Sequence, residues 1–228
     1  MTKPEQVFVG CPFTRSLRKN YDRLKAELEA ETPLRLVLAD TTSISSTDSL
    51  LKHITELIRD SAGCVFDVTG SNPNVSLEVG IAHAMPADFL LALGTRKPRT
   101  SAERKRSAGR AGLDRMRPII ADLQGRNRIE YKTYKGLKDQ LLRRYLGQLP
   151  YMKRWHEFER SHRSYAPFAL KLFQDIRASG RSAPRRLDAI LAGSGISTTA
   201  LTRALTHDRL ITVRRGREGG YFYPAKGT

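Results

Sequence analysis

The sequence predicts an α/β protein: a flavodoxin-like or Rossmann-like parallel sheet of about five strands, followed by a small winged helix-turn-helix unit. Three observations predict it. Along the first 150 residues, short β-rich apolar runs alternate with longer amphipathic ones, the rhythm of parallel strands crossed over by helices. Beyond "QLPYMKRWHEFERSHRSYAP" the pattern changes to three helical stretches and a hairpin. The chain has 228 residues, about 39% of them hydrophobic, enough for one medium core and one small one. The expected division is a first domain over 1–150, a linker over 151–164 and a second domain over 165–228.

Taken in order, QVFVGCPF is the first strand and RSLRKNYDRLKAELEAE the first helix. LRLVLAD, GCVFDVTG, DFLLALG and RNRIEYK supply the other strands, and SSTDSLLKHITELIRDS, NPNVSLEVGIAHAM and KGLKDQLLRRYL the other helices. Sheets of this kind place ligands at the carboxyl ends of their strands. TRKPRTSAERKRSAGRAGLDRMRP interrupts the rhythm with many basic and few large apolar residues and is expected to run over the surface. FALKLFQDIRASG, APRRLDAILAGSG and STTALTRALTHDRL then predict three helices. Gly180, Gly193 and Gly195 punctuate them, Ser197 is an N-cap, and Leu201, Leu205 and Leu210 form an inward stripe. ITVRRGREGGYFYPA predicts the closing hairpin.

A formal charge of +17 and a pI near 10.3 make a polyanion the expected partner, nucleic acid first and DNA foremost. Basic residues recur over 96–117, over 143–163 and near the C-terminal end. In the winged unit, Thr198, Thr199 and Arg203 on the last helix are placed to read base edges, and Arg214, Arg215 and Arg217 in or beside the wing to meet phosphates. A purely protein-binding winged helix remains the alternative. No apolar stretch reaches the roughly 20 residues of a membrane span, and MTKPEQ lacks a secretory apolar segment, so a cytoplasmic protein without membrane contact is expected. Cys11 and Cys64 lie in strand-like runs without metal-ligand spacing and read as buried reduced thiols.

Residues 67–85, DVTGSNPNVSLEVGIAHAM, carry the chemistry. The third strand delivers Asp67 near its carboxyl end. Asn72 fits an N-cap and Pro73 the first helical position. From that start Asn74 and Glu78, four residues apart, share a face towards the strand ends, while Val75, Val79 and Ala82 can pack the other way. The helix N-terminus beside them favours anions. The competing reading makes Glu78 an ordinary, partly exposed glutamate paired with an arginine.

The run from Asp67 to Ala84 resembles the signature of nucleoside 2-deoxyribosyltransferase-like and TIR-like proteins, D-[LV]-T-G-x-N-P-N-V-x-x-E-x-G-x-A-H-A. VFVGCPF is similar to that family's first strand and turn, and IIADLQGRNRIEYKTYKGLKDQL to its last strand and helix, so the resemblance covers most of residues 6–146. It implies cleavage of an N-glycosidic bond. Glu78 becomes the nucleophile or the electrostatic partner of an oxocarbenium-like transition state, and Asp67 binds the ribose or orients the leaving base. Asn72 belongs to the substrate site, and Asn74 hydrogen-bonds the sugar or holds Glu78 in place. Gly10, Cys11, Pro12 and Phe13 line the pocket, with Phe13 available for stacking, and Asp40 is a secondary ribose contact. Leu77 stands where many relatives carry an aromatic residue. His83, five residues beyond Glu78, points about 140° round the helix and reads as structural.

On this reading no cofactor or metal is required, NAD is a candidate substrate, and a homo-oligomer fits, since related domains often complete their sites across a dimer. The domain order resembles effectors of bacterial defence systems, an analogy of arrangement alone. Two other functions remain open: a non-catalytic regulator that senses a nucleotide and binds DNA, and an adaptor assembling through a TIR-like surface.

Overall fold

The computed structural model describes residues 2–12, 15–39, 47–70, 72–95, 128–216 and 219–225. Phe13, Asp40, Arg217 and the basic run over 96–127 lie outside them. The first part consists of β1 (Lys3–Gly10), α1 (Arg15–Glu31), β2 (Arg35–Leu38), α2 (Thr47–Asp60), β3 (Ser61–Asp67), α3 (Pro73–Ala84), β4 (Phe89–Gly94), β5 (Arg128–Tyr131) and α4 (Tyr134–Arg144). All five strands are parallel, in the order β2-β1-β3-β4-β5. This is the flavodoxin-like member of the predicted pair.

The near-continuous apolar strands follow from burial on both faces. Side chains alternate along each strand, so Val7, Val9 and Val65 enter one core with Tyr21, Leu24 and Leu28 of α1 and Leu137 and Leu141 of α4. Phe8, Cys64 and Phe66 enter the other, with Ile54 and Ile58 of α2 and Val75, Val79 and Ala82 of α3. At the amino ends, Tyr145 ties the starts of β3 and β4 together: its hydroxyl donates to Asp88 O at 2.9 Å and accepts from Cys64 N at 3.1 Å. Gly63 is required there, because a Cβ would stand 2.5 Å from that hydroxyl.

The chain continues through α5 (Pro150–Ser161), α6 (Ala166–Ser179), α7 (Pro184–Leu191), α8 (Thr198–His207), β6 (Ile211–Gly216) and β7 (Gly219–Pro224). The segment 151–164 is mostly the helix α5, with Tyr151, Met152, Trp155 and Phe158 all buried. It acts as a brace: Trp155 stacks on Phe158 and meets Phe173 of α6 edge-on. Leu201, Leu205 and Leu210 are fully buried, as their spacing predicts. Gly180 takes the left-handed conformation that ends α6, and Ser197 caps α8 through Ala200 N. β6 and β7 pair antiparallel, and Ser182 adds a bridge to Phe222. Among the described residues no helix is long and apolar enough to cross a membrane.

Arg177 of α6 joins the two parts. Its guanidinium donates to Thr32 O and Leu34 O, each at 3.2 Å, and to Glu29 O, where α1 turns into β2. Burial lowers its pKa, yet the carbonyls keep its donors satisfied. Arg177→Met should cost about 2–4 kcal/mol, in line with losing several buried charge-assisted bonds. Urea unfolding followed by the single tryptophan, Trp155, measures this; an unchanged midpoint would show that Arg177 does not hold the parts together.

Candidate active site

In the order β2-β1-β3-β4-β5 the chain winds outward in both directions from β1, which leaves a crevice at the carboxyl ends of β1 and β3. Gly10 pairs with Phe66 in that register, and Asp67 follows at once. Asp67 is completely buried. Its Oδ2 accepts the hydroxyls of Tyr21 and Tyr131, both at 2.8 Å, and its Oδ1 accepts Thr69 N at 2.9 Å. Burial, reinforced by the Asp67 charge, raises both phenols, so they stay neutral donors. The expected direct ribose contact through Asp67 is therefore corrected: protein donors hold this side chain, and no part of it is exposed.

Glu78 is buried as well, but without such partners. It is only 3% exposed, shares the buried face of α3 with Val75, Val79 and Ala82, and its Oε2 has no hydrogen-bond partner among the described residues. Desolvation alone pushes its pKa up to about 7. The partly exposed, arginine-paired glutamate of the competing reading is not what forms. Its carboxyl lies on Gly10, where an added Cβ would stand 2.1 Å from Oε2 and 2.6 Å from the Phe66 ring. Glycine is thus a condition of the site.

The sheet separates the two carboxylates. Cys11 and Tyr21 belong to the α1 and α4 core together with the partners of Asp67, whereas Phe66 and Val79 belong to the α2 and α3 core where Glu78 enters. They reach the strand ends from opposite faces, with Cys11 near enough to feel both charges. Asp67 and Glu78 do not form a carboxylate dyad. Burial, with Asp67 beside it, raises the Cys11 thiol to about 12, so it lines the wall as an inert group.

Gly10 and Pro12 are buried beside Cys11. The Asn72 side chain accepts from Asn74 N at 3.0 Å and Val75 N at 3.3 Å, so it is occupied as the N-cap. Asn74 is exposed on the first turn, on the side of α3 away from Val79, and His83 is exposed on the last. Leu77 is 52% exposed beside Glu78, and so takes no part in the core. Phe13 and Asp40 fall outside the described residues.

Sequence reasoning missed three tyrosines. Tyr21, Tyr131 and Tyr134 stack edge-on or tilted around Asp67, with ring centroids 5.5 and 5.6 Å apart for the two pairs involving Tyr134. The Tyr134 hydroxyl is buried without a hydrogen-bond partner among the described residues. The available signal was tyrosine in place of phenylalanine at core-periodic positions, since a buried phenol needs a polar partner.

On the C-terminal part, Thr198, Thr199, Thr202 and Arg203 of α8 line a groove of about 570 Å³ with Val213 and Phe222 of the hairpin. Thr198 donates to Asp188 at 2.6 Å, which leaves Thr199 and Arg203 as the exposed pair of the three expected residues. The wing arginines do not act as one set. Val213 pairs with Phe222 and Arg214 with Tyr221, so alternation puts Arg214 on the opposite face of the hairpin from Val213 and Arg215.

No protein-family model and no curated protein matches the chain. Among solved structures, the 2-desoxiribosyltransferase from Leishmania mexicana is similar at 14% identity and a TM-score of 0.37, over 42% of this chain and 68% of that one. So distant a likeness adds nothing to the strand order. That order defines the class by itself: an α/β protein with a five-stranded parallel sheet whose topological switch point lies where β1 and β3 end.

Two outcomes test this geometry. Because burial raises Glu78 in the folded state, the unfolded chain loses its proton first, and stability falls as pH rises from about 4.5 to about 7. Glu78→Gln should therefore match the wild type near pH 4 and exceed it by up to about 3 kcal/mol at pH 8 in urea unfolding. A constant difference across that range would show that Glu78 is not desolvated. Tyr21→Phe and Tyr131→Phe should each cost about 1–3 kcal/mol, and a cost near zero would remove Asp67 from its structural role.

Proposed function

We propose that the first part cleaves the N-glycosidic bond of a nucleoside, nucleotide or NAD, with Glu78 as the reacting carboxylate. The observation that carries this reading is the buried, unpartnered Oε2 of Glu78 laid on Gly10 at the strand crevice. A desolvated carboxylate without a counter-charge is costly in the free protein, and a sugar developing oxocarbenium character supplies the missing positive charge. Ionised Glu78 donates an electron pair to the anomeric carbon as the bond to the base nitrogen breaks, and the departing base nitrogen takes the bonding pair. The glycosyl ester that remains is resolved by water or by an acceptor base. Asp67 acts indirectly: with Tyr21 and Tyr131 it fixes the strand ends against which the ligand sits.

For the C-terminal part we propose a winged helix that contacts nucleic acid. Its support is the three helices closed by a hairpin, the exposed Thr199 and Arg203 beside a groove, and the basic balance of the chain. A nucleotide-binding regulator without turnover is the competing function.

Incubation with NAD and a panel of nucleosides and nucleotides, with and without DNA, separates the two by release of free base. Glu78→Gln should lower turnover by several orders of magnitude with folding intact. Full activity in that variant would end the catalytic assignment, and tight binding without base release would favour the regulator. For the wild type, kcat/KM should rise with pH and level off above about 7 as Glu78 ionises.

Arg215→Ala should flatten the log–log salt dependence of DNA binding by about 0.9, the share of one phosphate contact. Arg203→Ala should shift the preference among sequences. Unchanged binding in both variants would turn the groove face into an ordinary solvated surface.

A further inference from the structure

A second cavity, of about 340 Å³, lies between the two parts of the chain. Lys3 and Glu5 of β1, Arg35 of β2, Arg177 of α6, and Arg214 and Tyr223 of the hairpin line it. Glu5 stands five residues before Gly10, so the cavity is about 16 Å along β1 from the Glu78 crevice, at the opposite end of the sheet.

Its charges are unbalanced in a specific way. Four cations face one acid. Arg177 spends its donors on backbone carbonyls and contributes charge only, and Lys3 reaches Asp60 at no better than 4.0 Å. Arg35 and Arg214 have no ion-pair partner among the described residues, although the charge of Arg35 is felt by Glu5. The Arg214 guanidinium stacks 4.9 Å from the centroid of Tyr223, which orients its fork. Glu5 is 8% exposed and its Oε2 has no hydrogen-bond partner. Buried carboxylate oxygens are ordinarily satisfied. The gap between Glu5 and the two arginines thus asks for a molecule with an anionic end for the guanidiniums and a hydroxyl for the carboxylate.

We propose that this seam cavity binds a hydroxyl-bearing phosphate monoester of about pentose-phosphate size. The phosphate bridges Arg35 and Arg214, and a sugar hydroxyl donates to Glu5 Oε2. A volume of 340 Å³ lies at the low end for ligand sites, which suits a sugar phosphate or a mononucleotide and excludes a dinucleotide. Because the lining comes from β1, β2, α6 and the hairpin, occupancy ties the hairpin to the sheet and stabilises the folded chain. The site stands whether or not Glu78 is catalytic.

Calorimetric titration of the full chain with ribose 5-phosphate, inorganic phosphate and ribose tests it. Saturable binding is expected for ribose 5-phosphate, with weaker binding of phosphate and none of ribose. Arg35 and Arg214 are exposed, so the double variant Arg35→Ala/Arg214→Ala should keep the melting temperature of the free protein and weaken ribose 5-phosphate at least tenfold. Glu5→Met should abolish the preference over inorganic phosphate, and Glu78→Gln should bind as the wild type does. No binding at millimolar ligand, or affinity unchanged in the double variant, overturns the proposal. So does a loss in Glu78→Gln equal to that in the double variant, which would place the ligand in the other crevice.

Discussion

Asp67 and its three donors hold the arrangement on which the rest depends. A carboxylate with no exposure is tolerated only where hydrogen bonds replace its hydration. Here the replacements come from α1, through Tyr21, from β5, through Tyr131, and from the turn after β3, through Thr69. One side chain at the end of the central strand thereby fixes a helix on one face and the far edge strand against it. Thr69 extends the network, since its hydroxyl accepts Gly94 N at 2.6 Å and secures the end of β4. The carboxyl ends of β3, β4 and β5 are thus held by polar bonds.

Glu78 is the unsatisfied counterpart of Asp67. Raising its pKa from 4.5 to about 7 corresponds to about 3 kcal/mol against ionisation. The surrounding core holds it there, because Val75, Val79 and Ala82 lock α3 onto the sheet and carry Glu78 with them. This fits the proposed catalytic role, in which stability is given up for chemistry. A purely structural position would either pair this carboxylate or replace it with an apolar residue.

Much of this was legible in the sequence because it rests on local rules. The strand and helix alternation, the Asn72 cap with Pro73 behind it, and the stripe of Leu201, Leu205 and Leu210 all follow from periodicity and backbone chemistry. What the sequence hid depends on which face an element turns inward. Asn74 lies only about 40° from Glu78 round the helix, yet the edge of the buried face falls between them, leaving one exposed and the other covered. The partners of Asp67 come from 46 and 64 residues away, and no local pattern links them. Arg214 and Arg215 were separable in principle by strand alternation, but only once the register of the hairpin with Tyr221 was fixed.

The attachment of the C-terminal part explains how one chain can carry two surfaces. Tyr151 of α5 donates to Leu210 O at 2.7 Å, and Arg177 of α6 grips the turn between α1 and β2. Arg177 grips the sheet at the amino ends of its strands, and the hairpin's Arg214 and Tyr223 line a cavity with Lys3 and Glu5 at the same end. The carboxyl ends, where Glu78 lies, are therefore left free for a small molecule. The proposed nucleic-acid groove on α8 and the proposed nucleotide site at β1 and β3 then need share no atoms. Coupling between them has to pass through the packed brace of α5 and α6 or through the cavity that α6 borders.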